Sequence, residues 1–208
     1  KIDLVRVSDS EYTFVMPGSS VSIDARFLGA GETGDALFRD VPASAYYYDA
    51  VAWAAENDIT GGVGNGLFAP DGDCTRAQIV TFLWRAAGRP EPESKANFVD
   101  VPAKAYYAKA VAWALENGIT KGTSATTFSP DDPCTRAQAV TFLARALSAK
   151  AEGTAGFIDV AETAYYAKAV AWASENGVTS GVGGKRFAPD QTCTRAQIVT
   201  FLYRAYSK

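Results

Sequence analysis

This chain contains no histidine, and that absence removes more chemistry than any other feature of its composition. Without imidazole there is no Ser-His-Asp or Cys-His relay and no histidine-ligated zinc. A Walker-type Gly-rich phosphate loop is missing as well. No acidic pair recurs in a form suited to paired-carboxylate catalysis. The chain therefore reads as non-enzymatic, with no cofactor and no metal expected. Apolar residues make up 48% of the 208, yet no run approaches the ~20 needed to cross a bilayer, so no membrane insertion is expected. Basic excess is lacking too, since the net charge is −3. In residues 1–36, Lys1, Arg6 and Arg26 face Asp3, Asp9, Glu11, Asp24, Glu32 and Asp35, so the imbalance sits there and the remainder is neutral. A neutral body is a poor match for nucleic acid, and any anion would have to be met by individually placed cations. Lys1 opens onto Ile2-Asp3-Leu4 without the apolar core of a leader peptide, which leads us to expect the tail of a longer exported protein.

What the chain does have is repetition. One pattern is written three times, about 60 residues apart, and a period of that length means a supersecondary unit stacked on copies of itself. The middle copy reads Phe98-Val99-Asp100-Val101, Ala105-Tyr106-Tyr107, Ala110-Val111-Ala112-Trp113-Ala114 and Glu116-Asn117-Gly118-Ile119-Thr120. It closes on Phe128-Ser129-Pro130-Asp131 and Cys134-Thr135-Arg136-Ala137-Gln138. The repeats are placed at 37–90, 91–150 and 151–208. Each is expected to be helix, irregular loop, helix. Helix one spans roughly Ala45–Asn57, Ala105–Asn117 and Ala164–Asn176, with a left-handed C′ residue at Asp58, Gly118 and Gly177. Helix two starts at Thr75, Thr135 and Thr194. Each unit has too little apolar surface to stand alone, so the three must share a core. The fold class is mainly α, a compact pseudo-threefold bundle, with an open solenoid as the arrangement that periodicity alone leaves open. Residues 1–36 lie outside the repeat. Tyr12–Met16 and Val21–Phe27 alternate around Pro17-Gly18-Ser19-Ser20, which predicts a β-hairpin or the remnant of a β-domain, with self-association through strand pairing as one use.

Several recurring residues are candidates for function, each with a structural alternative. Thr75, Thr135 and Thr194 pair with Gln78, Gln138 and Gln197 as capping boxes. Arg76, Arg136 and Arg195 do not fit a capping role. At N1 a cation faces the positive end of the helix dipole, which costs about 0.3–1 kcal/mol when exposed. Either the carboxylates of Asp71, Asp131 and Asp190 or an anionic ligand has to offset this. Gly62, Gly122 and Gly181 share one loop position, read either as a positive-φ turn or as a place where a ligand meets free amides. Lys121, and Lys185 with Arg186, charge the second and third loops, whereas the first is neutral. Trp53, Trp113 and Trp172 lie on helix one as core or as a stacking face for a sugar ring. Asp40, Asp100 and Asp159 precede helix one as turn caps or as ligand contacts. Cys74, Cys134 and Cys193 each precede a helix N-cap and are expected to staple onto Ile79, Ala139 and Ile198. A threefold thiol metal site is the alternative if the repeats close into a ring.

Together, Phe-x-Asp-Val, Tyr-Tyr, Ala-Val-x-Trp-Ala, Glu-Asn-Gly-Ile-Thr and Thr-Arg-Ala-Gln resemble the S-layer homology domain family over residues 38–208. Tyr12-Thr13-Phe14-Val15-Met16-Pro17, with the alternation after it, resembles the last strands of β-sandwich repeats in bacterial surface proteins. The first resemblance implies a pseudo-trimeric helical fold whose inter-repeat grooves bind secondary cell-wall polysaccharide through a pyruvylated, anionic sugar. Location at the cell surface of a Gram-positive-type bacterium follows from it. The family's helix-start motif is usually Thr-Arg-Ala-Glu, whose Arg engages the pyruvyl group, and Arg76, Arg136 and Arg195 match that position. Gln replaces Glu in all three copies here. Asp49 stands where the other repeats have Lys109 and Lys168, so the first repeat's loop is expected to contribute least to anion binding. The rival class is a structural self-assembly module with no glycan ligand.

Overall fold

The computed structural model describes residues 37–207 and, before them, residues 5–6 and 12–13. The chain divides into two units, Lys1–Asp35 and Ala36–Lys208. In the first, β1 (Val5–Arg6) pairs antiparallel with β2 (Tyr12–Thr13), placing Val5 opposite Thr13 and Arg6 opposite Tyr12. Tyr12 thus pairs with residues that precede it. The strand expected at Val21–Phe27, its turn at 17–20 and any self-association surface in residues 1–36 lie outside the described residues.

The second unit is helical. Helix one of each repeat is α1 (Tyr48–Glu56), α3 (Ala108–Glu116) or α5 (Ala167–Glu175). All three begin about one turn later than the periodicity suggests. The residues before α1 are held instead in three-residue turns, Ala45 N–H to the Pro42 carbonyl at 2.9 Å and Tyr48 N–H to the Ala45 carbonyl at 3.0 Å. The Tyr-Tyr pairs therefore sit in an entry turn. At the other end Asp58, Gly118 and Gly177 take positive φ (55°, 65° and 64°), as a C′ residue does.

Helix two of each repeat is α2 (Arg76–Ala86), α4 (Arg136–Ala146) or α6 (Arg195–Tyr206), and each starts with a complete Thr/Gln capping box. α2, α4 and α6 pack on one another about a central axis. Ile79, Ala139 and Ile198 face Leu83, Leu143 and Leu202 there, and a void of about 10 Å³ remains at the layer where Ala139 replaces Ile. The two helices of one repeat are not the pair that packs most closely. Helix one crosses to helix two of the preceding repeat, so α3 lies on α2, α5 on α4, and α1 on α6. The last of these contacts joins the third repeat to the first and closes the ring, which decides between the bundle and the open solenoid.

Backbone hydrogen bonds seal the closure. Cys134 N–H donates to the Cys74 carbonyl (2.8 Å), Cys193 N–H to Cys134 (2.9 Å) and Cys74 N–H to Cys193 (2.9 Å), a cycle through all three repeats. The cysteines are 0% exposed, unoxidised and neutral, and burial pushes the Cys74 and Cys193 thiols up to about 12. Two of the thiols point at local carbonyls, Cys74 at Thr75 and Cys134 at Thr135. Among the described residues no cluster of His, Cys, Asp or Glu is placed to hold a metal, so the thiol metal site is not formed even though the ring closes. No helix among them is long and apolar enough to cross a membrane.

Candidate functional site

Each arginine at the start of helix two reaches into the next repeat. Arg76 Nε donates to the Phe128 carbonyl at 2.9 Å, Arg136 Nε to Phe187 at 2.8 Å, and Arg195 Nε back to Phe68 at 2.8 Å. The guanidinium lies between two rings. For Arg76 these are Phe128 (4.8 Å to the centroid) and Phe142 (5.4 Å), and Phe187 with Phe201 and Phe68 with Phe82 repeat the arrangement. The side chains are 2–4% exposed, and burial lowers the pKa of all three arginines. No described carboxylate lies within salt-bridge distance of them, and Asp71, Asp131 and Asp190 are exposed. The Arg–Asp bridge, one of the two alternatives, is absent. One carbonyl and two aromatic faces take its place.

Nη2 of Arg76, Arg136 and Arg195 is buried without a hydrogen-bond partner, and these are the buried side-chain polar atoms of the described residues in that state. A buried donor left unmade costs about 1–3 kcal/mol, and one occurring three times at the same position calls for an explanation.

The surrounding residues fix this geometry. Asp40 accepts the Phe68 and Ala69 amides (2.8 and 2.7 Å), and Asp100 and Asp159 do the same for the second and third loops. The clamp holds Ala69, Ser129 and Ala188 at positive φ and aims the Phe carbonyl at the arginine. Burial pushes the Asp100 and Asp159 carboxyls up, but the two loop amides outweigh it and hold both below the usual carboxylate value. These aspartates act on the arginine through the loop.

Gly62, Gly122 and Gly181 have no free amide. Each donates to the hydroxyl of Thr60, Thr120 or Thr179 at 3.1 Å. A Cβ at Gly62 would sit 2.3 Å from the Leu67 carbonyl oxygen, so what approaches these glycines closely is the loop's own backbone. The hydroxyls of Thr75, Thr135 and Thr194 accept the N3 amides of their helices. The N1 and N2 amides are also spent, Arg76 N–H on Asp132 and Ala77 N–H on Pro130 in the first case, so these helix starts offer an anion no free backbone donors there. Trp113 and Trp172 are core residues at 7% and 8% exposure, and Trp53 packs its ring against Tyr203 at 5.8 Å. Lys121 is exposed on its loop.

Two sets of residues escaped the sequence reading. Tyr46, Tyr106 and Tyr165 are 62–66% exposed, each set edge-on to its neighbouring tyrosine at 5.0 Å. Tyr165 lies within electrostatic range of Arg76, Tyr106 of Arg195 and Tyr46 of Arg136. They are the exposed aromatic faces of the site. Arg85, Arg145 and Arg204 each donate to the carbonyl just past helix one of their own repeat (Ile59, Ile119, Val178) and so tie the two helices together. Both sets recur at fixed positions, which was the available signal. Each arginine is thus surrounded by all three repeats. The Arg76 site takes its guanidinium from the first, the Phe128 loop from the second and Tyr165 from the third.

The family model described as S-layer homology domain matches residues 37–80, 97–140 and 156–199. The chain is 33% identical over 166 residues to the Surface-layer 125 kDa protein of Lysinibacillus sphaericus, covering 77% of this chain and 14% of that protein. It is 29% identical over 179 residues to the S-layer protein sap of Bacillus anthracis, covering 83% and 21%. An endoglucanase of Bacillus sp. (strain KSM-635) is 37% identical over 132 residues, covering 62% and 14%. The chain therefore spans a small part of the length of these relatives.

Proposed function

This chain belongs to the S-layer homology domain family, and we propose that it is a non-catalytic module that holds a larger surface protein to the cell wall by gripping an acidic glycan. Its place is the outside of the cell. The observation that carries the reading is the set of guanidinium groups at Arg76, Arg136 and Arg195, each buried, fixed at Nε and carrying an unspent Nη2. The rotamer is already locked by two rings and a carbonyl, so a carboxylate that opens access to Nη2 meets a donor whose orientation is already fixed. A charge-assisted contact there is favoured by the low dielectric that made the burial costly. Gln78, Gln138 and Gln197 do the capping work without adding a negative charge beside the arginine. The tyrosine faces at the groove mouths suit the apolar face of a sugar ring.

The ligand in this reading is secondary cell-wall polysaccharide with pyruvyl ketals. Grooves arranged around one axis raise affinity on a polymer through avidity. Relatives that are S-layer proteins and relatives that are glycan-cleaving enzymes fit a portable anchor joined to different partners. The test is calorimetric titration of the chain with purified wall polymer, before and after mild acid removes the ketals. Loss of binding with the ketal is expected. Undiminished binding to the stripped polymer would move recognition to the sugar rings and overturn the role given to the arginines.

A further inference from the structure

Position 84 in the first repeat is Trp, its equivalent in the third is Tyr203, and in the second it is Ala144. The two aromatics are used. Trp84 donates its indole N–H to the Pro90 carbonyl at 2.8 Å, and Tyr203 stacks obliquely on Trp53 at 5.8 Å. At Ala144 no such ring is present. Beside it α4, the end of α3, residues 148–151 and α5 enclose a cleft of about 610 Å³, within the ~300–1,000 Å³ typical of ligand sites.

The charge of this cleft is one-sided. Arg145, Lys150 and Lys168 line it and no carboxylate does. Arg145 has cationic counterparts in Arg85 and Arg204, but the positions of Lys168 and Lys150 differ in the other repeats. Lys109, the counterpart of Lys168, is paired with Glu91 at 2.7 Å, and Asp49 takes that position in the first repeat. Pro90 stands where the second repeat has Lys150. Tyr165 lines the cleft and lies within electrostatic range of both Arg145 and Arg76, so one ring stands between the cleft and that arginine.

We propose that this cleft is a second subsite for the same acidic glycan, taking the carboxylate-bearing unit that follows the one held at Arg76. This rests on the anchoring reading above. A chain whose terminal anion meets Arg76 runs past the Tyr165 ring, and its next anion enters between Arg145 and Lys168. The Arg76 groove then reads two consecutive acidic units, whereas the Arg136 and Arg195 grooves read one.

The experiment compares two synthetic fragments of the wall polymer, one with a single pyruvylated unit and one with two, titrated into the full chain and two variants. Ala144→Trp refills the cleft as the first repeat does, and Lys168→Glu reverses an exposed charge without touching the core. The wild-type chain is expected to bind the longer fragment at least about tenfold more tightly, and both variants to lose that advantage while keeping their affinity for the shorter one. Equal affinity of the wild-type chain for both fragments would overturn the second subsite and leave the anchoring reading standing. So would a Lys168→Glu variant, folded by circular dichroism, that keeps the full advantage. Failure of the wild-type chain to bind either fragment would remove both readings.

Discussion

Replacing Arg76 by Met separates the two things this residue does. The loss includes the Nε–H bond to the Phe128 carbonyl at 2.9 Å, worth roughly 1.5–3 kcal/mol for a charged donor. It also includes the cation over Phe128 and Phe142, about 1–2 kcal/mol in a desolvated setting. Against this, the variant no longer buries Nη2 without a partner, recovering about 1–3 kcal/mol. It also avoids the several kcal/mol needed to desolvate an unpaired cation, and the Met sulfur regains about 0.3–1.5 kcal/mol against the two rings. The regained terms are at least as large as the lost ones, and we expect unfolding in urea to show no loss of stability at Arg76→Met. The same substitution at Arg76, Arg136 and Arg195 together is expected to abolish binding to ketal-bearing wall polymer. A stability loss above about 3 kcal/mol at Arg76 alone would show that the guanidinium is a structural clasp. A triple variant that still binds would refute its assignment to the ligand.

Gly122→Ala places a Cβ 2.5 Å from the Thr127 carbonyl oxygen and 2.7 Å from both Phe98 Cε1 and the Ser124 oxygen, at φ +84°. We expect a loss of about 2–5 kcal/mol from left-handed strain and overlap together. Gly64→Ala, at φ +100° with nothing within 4 Å, is expected to lose only about 1–2 kcal/mol, and equal losses would disprove the close-approach account. Acid tests the aspartate clamps. Asp100 and Asp159 have folded pKa values below 3.8, so their contribution is complete above the unfolded value and disappears as pH falls through the folded one. The urea midpoint should be flat from about pH 7 to pH 5 and decline below about pH 4. Asp100→Asn with Asp159→Asn should lower and flatten that curve, and an unchanged acid limb would sink the assignment.

Some of this was legible in the sequence because it is local. Capping boxes at Thr75, Thr135 and Thr194 need only four consecutive residues, and the C′ positions need only the residue after the helix. The late start of helix one was missed because Tyr106-Tyr107 fits the apolar face of a helix as well as it fits an entry turn. The protein group that meets Arg76 was not legible for a different reason. Asp71, Asp131 and Asp190 are close in sequence and of opposite charge, but the group that meets Arg76 is a backbone carbonyl 52 positions away in another repeat. Main-chain carbonyls leave no mark in composition, and periodicity reveals units without showing which neighbour each one touches. Ala144 was legible in the other sense. A small residue where two repeats carry Trp and Tyr marks a departure, but only the fold shows that it opens a cleft.

The interleaving explains why the unit of function here is the triplet. Helix one packs on the preceding repeat's helix two, and the backbone cycle through Cys74, Cys134 and Cys193 needs all three copies to close. The arginine sites follow the same rule. Arg76 is anchored by Phe128 and faced by Tyr165, Arg136 by Phe187 and Tyr46, and Arg195 by Phe68 and Tyr106. A single repeat has no complete arginine site, and neither does a pair, because the missing copy supplies the arginine, its carbonyl clasp or its tyrosine in each one. Folding and the proposed binding are therefore expected to appear together at the third repeat. The cost of burying an arginine with an unspent donor is carried by a shared core that no smaller number of repeats could build.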